Sequence, residues 1–121
     1  MQITERREGD HLVIALEETR LDHLIASDFR DEVLLRAGPG MSRLVLDLGA
    51  VLFMDSGGLG ALVGIRKRLG WDVGIVLAAV HGPVHRVFRL ARMTDVFEFA
   101  ASVDAALRAT QTLRRESVQR T

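Results

Sequence analysis

The stretch VLDLGAVLFMDSGGLGAL, residues 45–62, decides how the rest of the chain is interpreted. It continues an apolar run that begins at Leu44 and ends at Asp47, and a run this short and apolar is typical of a strand buried in a parallel sheet. After a loop, glycines open a segment whose apolar residues recur at helical spacing until Gly70 ends it. The stretch therefore predicts a strand at Arg43–Leu48, then a loop and an amphipathic helix.

Upstream of this stretch, the pattern predicts a hairpin and a helix. Residues 2–7 and 11–17 have the composition of two short strands, and the dipeptide Gly9-Asp10 between them suits a tight turn. The second of these strands is apolar throughout, so we expect it inside the sheet. The spacing of Ile25, Phe29 and Val33 then indicates an amphipathic helix after Asp22.

Downstream, strands and helices continue to alternate. We expect a buried strand at Val73–Leu77, a helix with Pro83 in its first turn, and a short edge strand at Phe97–Phe99. Ser102 is a suitable N-cap for a last helix, whose inward-facing residues are predicted to be Val103, Ala106, Leu107 and Thr110. This order of elements predicts an α/β domain with a parallel or mixed sheet covered by helices.

Composition limits the classes of function. The 121 residues are enough for one compact domain, and 16 Lys and Arg balance 16 Asp and Glu, so no net positive charge attracts nucleic acid. There is no cysteine, which excludes disulfides, thiol catalysis and cysteine-ligated metal centres. Neither a secretion signal nor an apolar run long enough for a membrane span is evident. We expect one cytoplasmic domain over residues 1–113, followed by a polar tail at 114–121.

Glycines that follow a strand also open phosphate-binding loops, and Gly58 and Gly60 follow a predicted strand in this way. The dinucleotide-binding pattern Gly-x-Gly-x-x-Gly fails because the third glycine, Gly64, comes one position late. The P-loop pattern fails because Lys67 has no neighbouring glycine and hydroxyl residue in the required order. The sequence therefore predicts no nucleotide cofactor of either kind.

Ser56 is a second candidate for chemistry, as the nucleophile of a small serine hydrolase. The nucleophile elbow Gly-x-Ser-x-Gly requires a small residue two positions before the serine, and this chain has Met54 there. The general base would have to be His81 or His85, and the sequence places neither beside Ser56. A hydrolase remains an alternative, while the sequence favours a domain without catalytic activity.

The position of Ser56 permits two further interpretations. As a helix N-cap, its hydroxyl would simply accept a hydrogen bond from a backbone N–H group. As a modification site, it would gain about −1.5 to −2 charges on phosphorylation, next to the carboxylate of Asp55 and the positive end of a helix. Gly57 and Gly58 carry no side chains that would crowd the hydroxyl. Both interpretations remain open from the residues alone.

The run Met54-Asp55-Ser56-Gly57-Gly58-Leu59-Gly60, preceded by a strand that ends in Asp-Leu, resembles the signature of STAS domains, above all of bacterial anti-sigma-factor antagonists. Weaker matches occur in the family's order at residues 20–22, 83–88 and 94–97. The resemblance implies a STAS fold, in which a central mixed sheet of about four to five strands carries about four helices, mainly on one side.

The resemblance also implies a partner-switching function. In such antagonists the serine after Met-Asp, here Ser56, is phosphorylated by a partner that is both a serine kinase and an anti-sigma factor. The unmodified antagonist binds this partner, the phosphorylated one is released, and a phosphatase restores it; the domain itself catalyses nothing. The residues implied to bind the partner are Asp55, Ser56, Gly57, Gly58, Leu59 and Gly60.

Two departures from the family pattern leave an alternative open. Gly57 stands where antagonists usually have a second hydroxyl residue, and the glycine expected before Leu21-Asp22 is replaced within residues 18–20. STAS domains also occur in stressosomes and in lipid or anion transporter complexes, where some function without phosphorylation. Such a subunit is the alternative, and homodimer formation is left open.

Other notable residues have simpler explanations. His81 and His85 are four residues apart, but Pro83 lies between them and no third ligand is evident, so we expect no metal site. Trp71 follows Gly70 and is predicted to be partly buried at an edge. A stripe of exposed arginines is predicted on the helix that follows Pro83, at Arg86, Arg89 and Arg92.

Overall fold

The computed structural model describes residues 1–38 and 41–109, and it confirms the predicted mixed α/β architecture. Five strands form the main sheet in the order β1-β2-β4-β6-β7; β1 is antiparallel to β2, and the other pairs are parallel. In chain order the elements are β1 (Ile3–Glu8), β2 (His11–Leu16), β3 (Arg20–Leu21), α1 (Ala26–Arg36), β4 (Arg43–Asp47), β5 (Phe53–Met54), α2 (Ser56–Leu69), β6 (Gly74–Ala78), α3 (Gly82–Leu90), β7 (Glu98–Ala100) and α4, described over 103–109.

The two faces of the main sheet carry two separate hydrophobic cores, because successive side chains of a strand point to opposite faces. The larger core joins one face to α1, α2 and α3, with Phe29, Leu62 and Phe88 fully buried between them. The smaller core, on the other face, consists of Val13, Val45, Val76 and Ala78 of the sheet and Ala106 of α4. Helices therefore pack mainly on one side, as expected, and α4 covers the other.

Several predicted turns and caps are present. Gly9 has φ 62° in the β1–β2 hairpin, a left-handed conformation that glycine adopts without strain. Pro83 lies in the first turn of α3, and the Ser102 hydroxyl accepts a hydrogen bond from the Ala105 N–H at 3.0 Å. Thr110 and the tail predicted at residues 114–121 lie outside the described residues.

A second, two-stranded sheet was not predicted. In it β3 runs parallel to β5, with Arg20 opposite Phe53 and Leu21 opposite Met54. Strands of two residues are too short to produce an alternation of apolar and polar side chains, so the sequence gives no signal for them. This small sheet connects the segment before α1 to the segment before α2.

The end of α2 is flanked by one buried arginine and one exposed tryptophan. Arg66 is only 5% exposed, and its guanidinium donates to the backbone carbonyls of Gly70 and Val73. Trp71, expected to be partly buried, is 76% exposed, and its ring centroid lies 4.9 Å from the Arg66 guanidinium carbon. Arginine carries several N–H donors and can bind both carbonyls, which accounts for its inward position.

Candidate functional site

The helix α2 begins at Ser56, and its N-cap is Asp55 rather than Ser56. Asp55 has the extended backbone typical of an N-cap, and its Oδ1 accepts a hydrogen bond from the Gly58 N–H at 2.9 Å. The interpretation of Ser56 as the capping residue is therefore wrong. The carboxylate of Asp55 serves that function better, because its charge also interacts favourably with the positive end of the helix.

The second carboxylate oxygen of Asp55 binds a residue from another part of the chain. Oδ2 lies 3.1 Å from the backbone nitrogen of His23 and 3.1 Å from its ring Nδ1. The hydrogen bond from the Gly58 N–H, together with those from His23, lowers the pKa of Asp55 to about 2, although partial burial of the group acts to raise it. Asp55 is therefore a carboxylate at neutral pH, and it ties the turn before α1 to the start of α2.

Two glycines at the start of α2 are required by close packing. A Cβ at Gly57 would lie 2.9 Å from the Cα of His23, and a Cβ at Gly58 would lie 2.8 Å from Cγ of Met54 and would also meet the carbonyl of Leu21. Gly57 departs from the family pattern, and the close approach of His23 explains why a residue without a side chain stands there. By contrast, a Cβ at Gly60 would meet nothing within 4 Å.

Ser56 itself is exposed in the first turn of α2. Within residues 1–38 and 41–109, its hydroxyl has no hydrogen-bond partner. The start of a helix presents backbone N–H groups that favour anions, and the neighbouring Asp55 already supplies one negative charge. The site therefore offers a hydroxyl that another protein can reach.

Exposed apolar side chains occur on the segment that precedes Ser56 and on the turn that His23 ties to Asp55. Leu24 follows His23, and Leu52 and Phe53 precede Asp55; all three are exposed. The guanidinium carbon of Arg20 lies 4.1 Å from the centroid of the Phe53 ring. Exposed apolar patches are a feature of surfaces that bind other proteins. We call Leu24, Leu52, Phe53 and Ser56 the Ser56 surface.

The six residues predicted to bind a partner do not contribute equally to this surface. Ser56 and Gly60 are exposed, and Asp55 and Gly57 are partly exposed. Gly58 and Leu59 are buried, so they pack the start of the helix against the core and do not present groups to a partner. Sequence reasoning missed His23, and its only signal was its position directly after Leu21-Asp22.

The histidines considered for catalysis or metal binding have other contacts. His81 Nε2 lies 2.7 Å from the carbonyl oxygen of Gly49, and the ring of His85 packs edge-on against Phe99 at 4.8 Å between centroids. Neither of these contacts involves Ser56, so the structure does not assemble the predicted hydrolase pair. Among the described residues, no three His, Asp or Glu side chains are grouped so that they could hold a metal ion.

Comparison with known proteins places this geometry in a family. The family model of the STAS domain matches residues 2–106. A proposed anti-sigma factor antagonist, BtrV of Bordetella bronchiseptica strain RB50, is 29% identical to this chain over 104 residues. The match covers 85% of this chain and 90% of BtrV.

Two solved structures have the same fold. The anti-sigma factor antagonist SpoIIAA in its unphosphorylated form matches with a TM-score of 0.74 at 20% identity, over 92% of this chain and 97% of SpoIIAA. The murine anion transporter Slc26a9 matches with a TM-score of 0.75 at 19% identity, over 88% of this chain but only 18% of the transporter. At these identities the likeness shows the fold alone.

The fold and the site together define a small mixed α/β domain that presents a serine at the start of a helix. This chain belongs to the STAS domain family. No helix among the described residues combines the length and the apolar character that a membrane span requires.

Proposed function

We propose that this protein is an anti-sigma factor antagonist that binds an anti-sigma factor with serine kinase activity and is released when Ser56 is phosphorylated. The observation that carries the proposal is the exposed Ser56 hydroxyl in the first turn of α2, beside the capping carboxylate of Asp55. The similarity to BtrV and the STAS family model support it. This function would place the protein in the cytoplasm, with a phosphatase that restores the unmodified form.

The chemistry of the switch is a phosphoryl transfer in which the kinase supplies the catalytic groups. The Ser56 oxygen attacks the γ-phosphorus of ATP and forms a new O–P bond, while the bond to the β-phosphate oxygen breaks and ADP leaves. The hydroxyl proton passes to a base of the kinase. Hydrolysis by the phosphatase then returns Ser56 and inorganic phosphate.

Charge explains why the modification would release the partner. The phosphate adds about −1.5 to −2 charges at neutral pH, next to the carboxylate of Asp55. The positive end of α2 offsets only part of this charge, because its dipole is equivalent to roughly half a unit charge and is already capped. A partner that fits the neutral Ser56 surface, with its apolar Leu24, Leu52 and Phe53, would have to bury this added negative charge.

The test uses the kinase encoded nearest to this gene, purified and shown to phosphorylate a substrate. With Mg²⁺ and ATP, we expect intact mass to increase by one phosphoryl group in the parent protein and to stay unchanged in Ser56→Ala. Ser56→Ala should bind the kinase and resist release by ATP. Ser56→Asp should bind at least about tenfold more weakly, whereas Thr4→Asp, exposed on the edge strand β1, should bind like the parent.

Three results would count against the proposal. The first is a parent protein that the active kinase leaves unmodified, and the second is equal affinity of Ser56→Ala and Ser56→Asp for the kinase. The third is hydrolysis of simple esters that disappears in Ser56→Ala, which would instead support the serine hydrolase alternative.

A further inference from the structure

His23 lies at the start of α2 although it comes from a different part of the chain. Its backbone N–H and its ring Nδ1 both bind Oδ2 of Asp55 at 3.1 Å, across 32 positions of sequence. The side chain is 74% exposed, so the ring can turn without displacing the core. Within the part of the chain that the structure describes, the other ring nitrogen, Nε2, makes no hydrogen bond.

Ser56 stands in sequence between two residues that approach His23, the N-cap Asp55 and Gly57 of α2. Asp55 on one side binds the imidazole, and a Cβ at Gly57 on the other side would lie 2.9 Å from the Cα and 3.0 Å from the Cβ of His23. The backbone of His23 is thus fixed against the same helical turn that carries the Ser56 hydroxyl.

In the described part of the chain, the charged side chains next to His23 are acidic or already paired. Asp55 is a carboxylate, and Asp22 is a nearby acidic group whose Oδ1 accepts a hydrogen bond from the Leu24 N–H at 3.0 Å. Arg20 is engaged elsewhere, since its Nε donates to Asp22 at 3.2 Å and its guanidinium stacks on Phe53. Imidazole is the one side chain that gains a positive charge close to neutral pH without large perturbation.

We propose that His23 is the cationic partner of the phosphate in the phosphorylated state. Its protonated imidazole pairs with the phosphate on Ser56, beside Asp55. This inference rests on the proposed function, because it describes the modified form of the same site. In the unmodified protein the ring is held on Asp55, and after modification it balances part of the dianion through a charge-assisted hydrogen bond.

The experiment installs phosphoserine at position 56 during translation, so that no kinase is needed. The phosphate is titrated by ³¹P NMR in the parent and in His23→Gln, since glutamine can donate a hydrogen bond but carries no charge. The second ionisation of a phosphoserine has its midpoint near pH 6, and loss of a cationic partner should raise that midpoint by about half a unit, a threefold change in the ionisation constant. His81→Gln, whose ring contacts Gly49 instead, should titrate like the parent.

Equal midpoints in the parent and in His23→Gln would overturn the inference. If His23→Gln does not fold, the parent protein alone answers the question, because phosphorylation should shift the ring-proton resonances of His23 and leave those of His81 and His85 in place. An unchanged His23 ring would then refute it. Failure of the kinase experiment would overturn the proposed function and would leave this titration unaffected.

Discussion

At the scale of single residues, Asp55 connects two segments that the sequence separates widely. One carboxylate oxygen caps α2 through Gly58, and the other holds the backbone and the ring of His23. Such a carboxylate accepts several hydrogen bonds in its charged form, which favours ionisation. The consequence is that the conformation of the Ser56 surface depends on the charge of one side chain.

This dependence predicts how acid affects stability. The pKa of Asp55 is lowered from 3.8 to about 2 in the folded state, so its charged form stabilises the fold above about pH 4, and that contribution is lost as the pH falls towards about 2. Asp55→Asn keeps a capping oxygen but does not titrate. We expect its urea unfolding midpoint to fall less steeply than that of the parent between pH 4 and pH 2.

The control for this measurement is Asp72→Asn, at an exposed position of the loop before β6. It should keep the parent's dependence on pH. Identical slopes for the parent and Asp55→Asn would show that the hydrogen bonds of Asp55 do not contribute to stability in this range.

The residue scale also shows which part of the site could be predicted. Ser56 was expected at an exposed helix start because the glycines and the strand before it mark that boundary. The interpretation of Ser56 as the cap was wrong, because both Asp55 and Ser56 are good capping residues and their order alone does not decide between them. His23 could not be predicted, because it reaches Asp55 only through the pairing of β3 with β5.

At the scale of elements, the packing of α2 against β3 requires glycine at one position and tolerates a side chain at another. We expect Gly58→Ala to destabilise the fold by about 1–3 kcal/mol, since its methyl group would press on Met54 and on the backbone of Leu21. Gly60→Ala should stabilise it by about 0.5–1 kcal/mol, because alanine restricts the unfolded chain and nothing lies within 4 Å of the new methyl group.

Urea unfolding at neutral pH measures both changes. Gly60→Ala serves as the matched control, because it introduces the same methyl group into the same helix. If both substitutions shifted the unfolding free energy in the same direction and by the same amount, the close approach of α2 to β3 would not be a determinant of stability.

The longer elements were predictable, whereas the two-residue strands were not. Strands β2, β4 and β6 and helices α1, α2 and α3 each contain enough apolar residues at a clear spacing to be recognised. The two-residue strands β3 and β5 do not. The burial of Arg66 was also missed, since it depends on carbonyl groups of the loop after α2 that become neighbours only in the folded chain.

At the scale of the whole molecule, α4 protects the face of the sheet that the other helices leave open. Ala106 is 1% exposed and packs against Val13, Val45 and Val76, where a small side chain allows close contact. The prediction that Ala106 faces inward is confirmed. The small size of this second core means that it has little capacity for added volume.

We expect Ala106→Leu to destabilise the protein by about 1–3 kcal/mol through overpacking, and Ala109→Leu, on the exposed side of α4, to change stability by less than about 0.5 kcal/mol. Thermal unfolding followed by circular dichroism compares the two variants. A stable Ala106→Leu would mean that α4 can move away from the sheet at little cost.

The helical setting of Ser56 has a consequence for how information passes through the proposed cycle. An enzyme that modifies this hydroxyl must recognise a tertiary shape, because the serine is presented by a capped turn resting on β3 and not by an extended peptide. A nascent or damaged chain would offer no such shape and would be ignored. Only correctly folded copies would therefore be phosphorylated and take part in the signal.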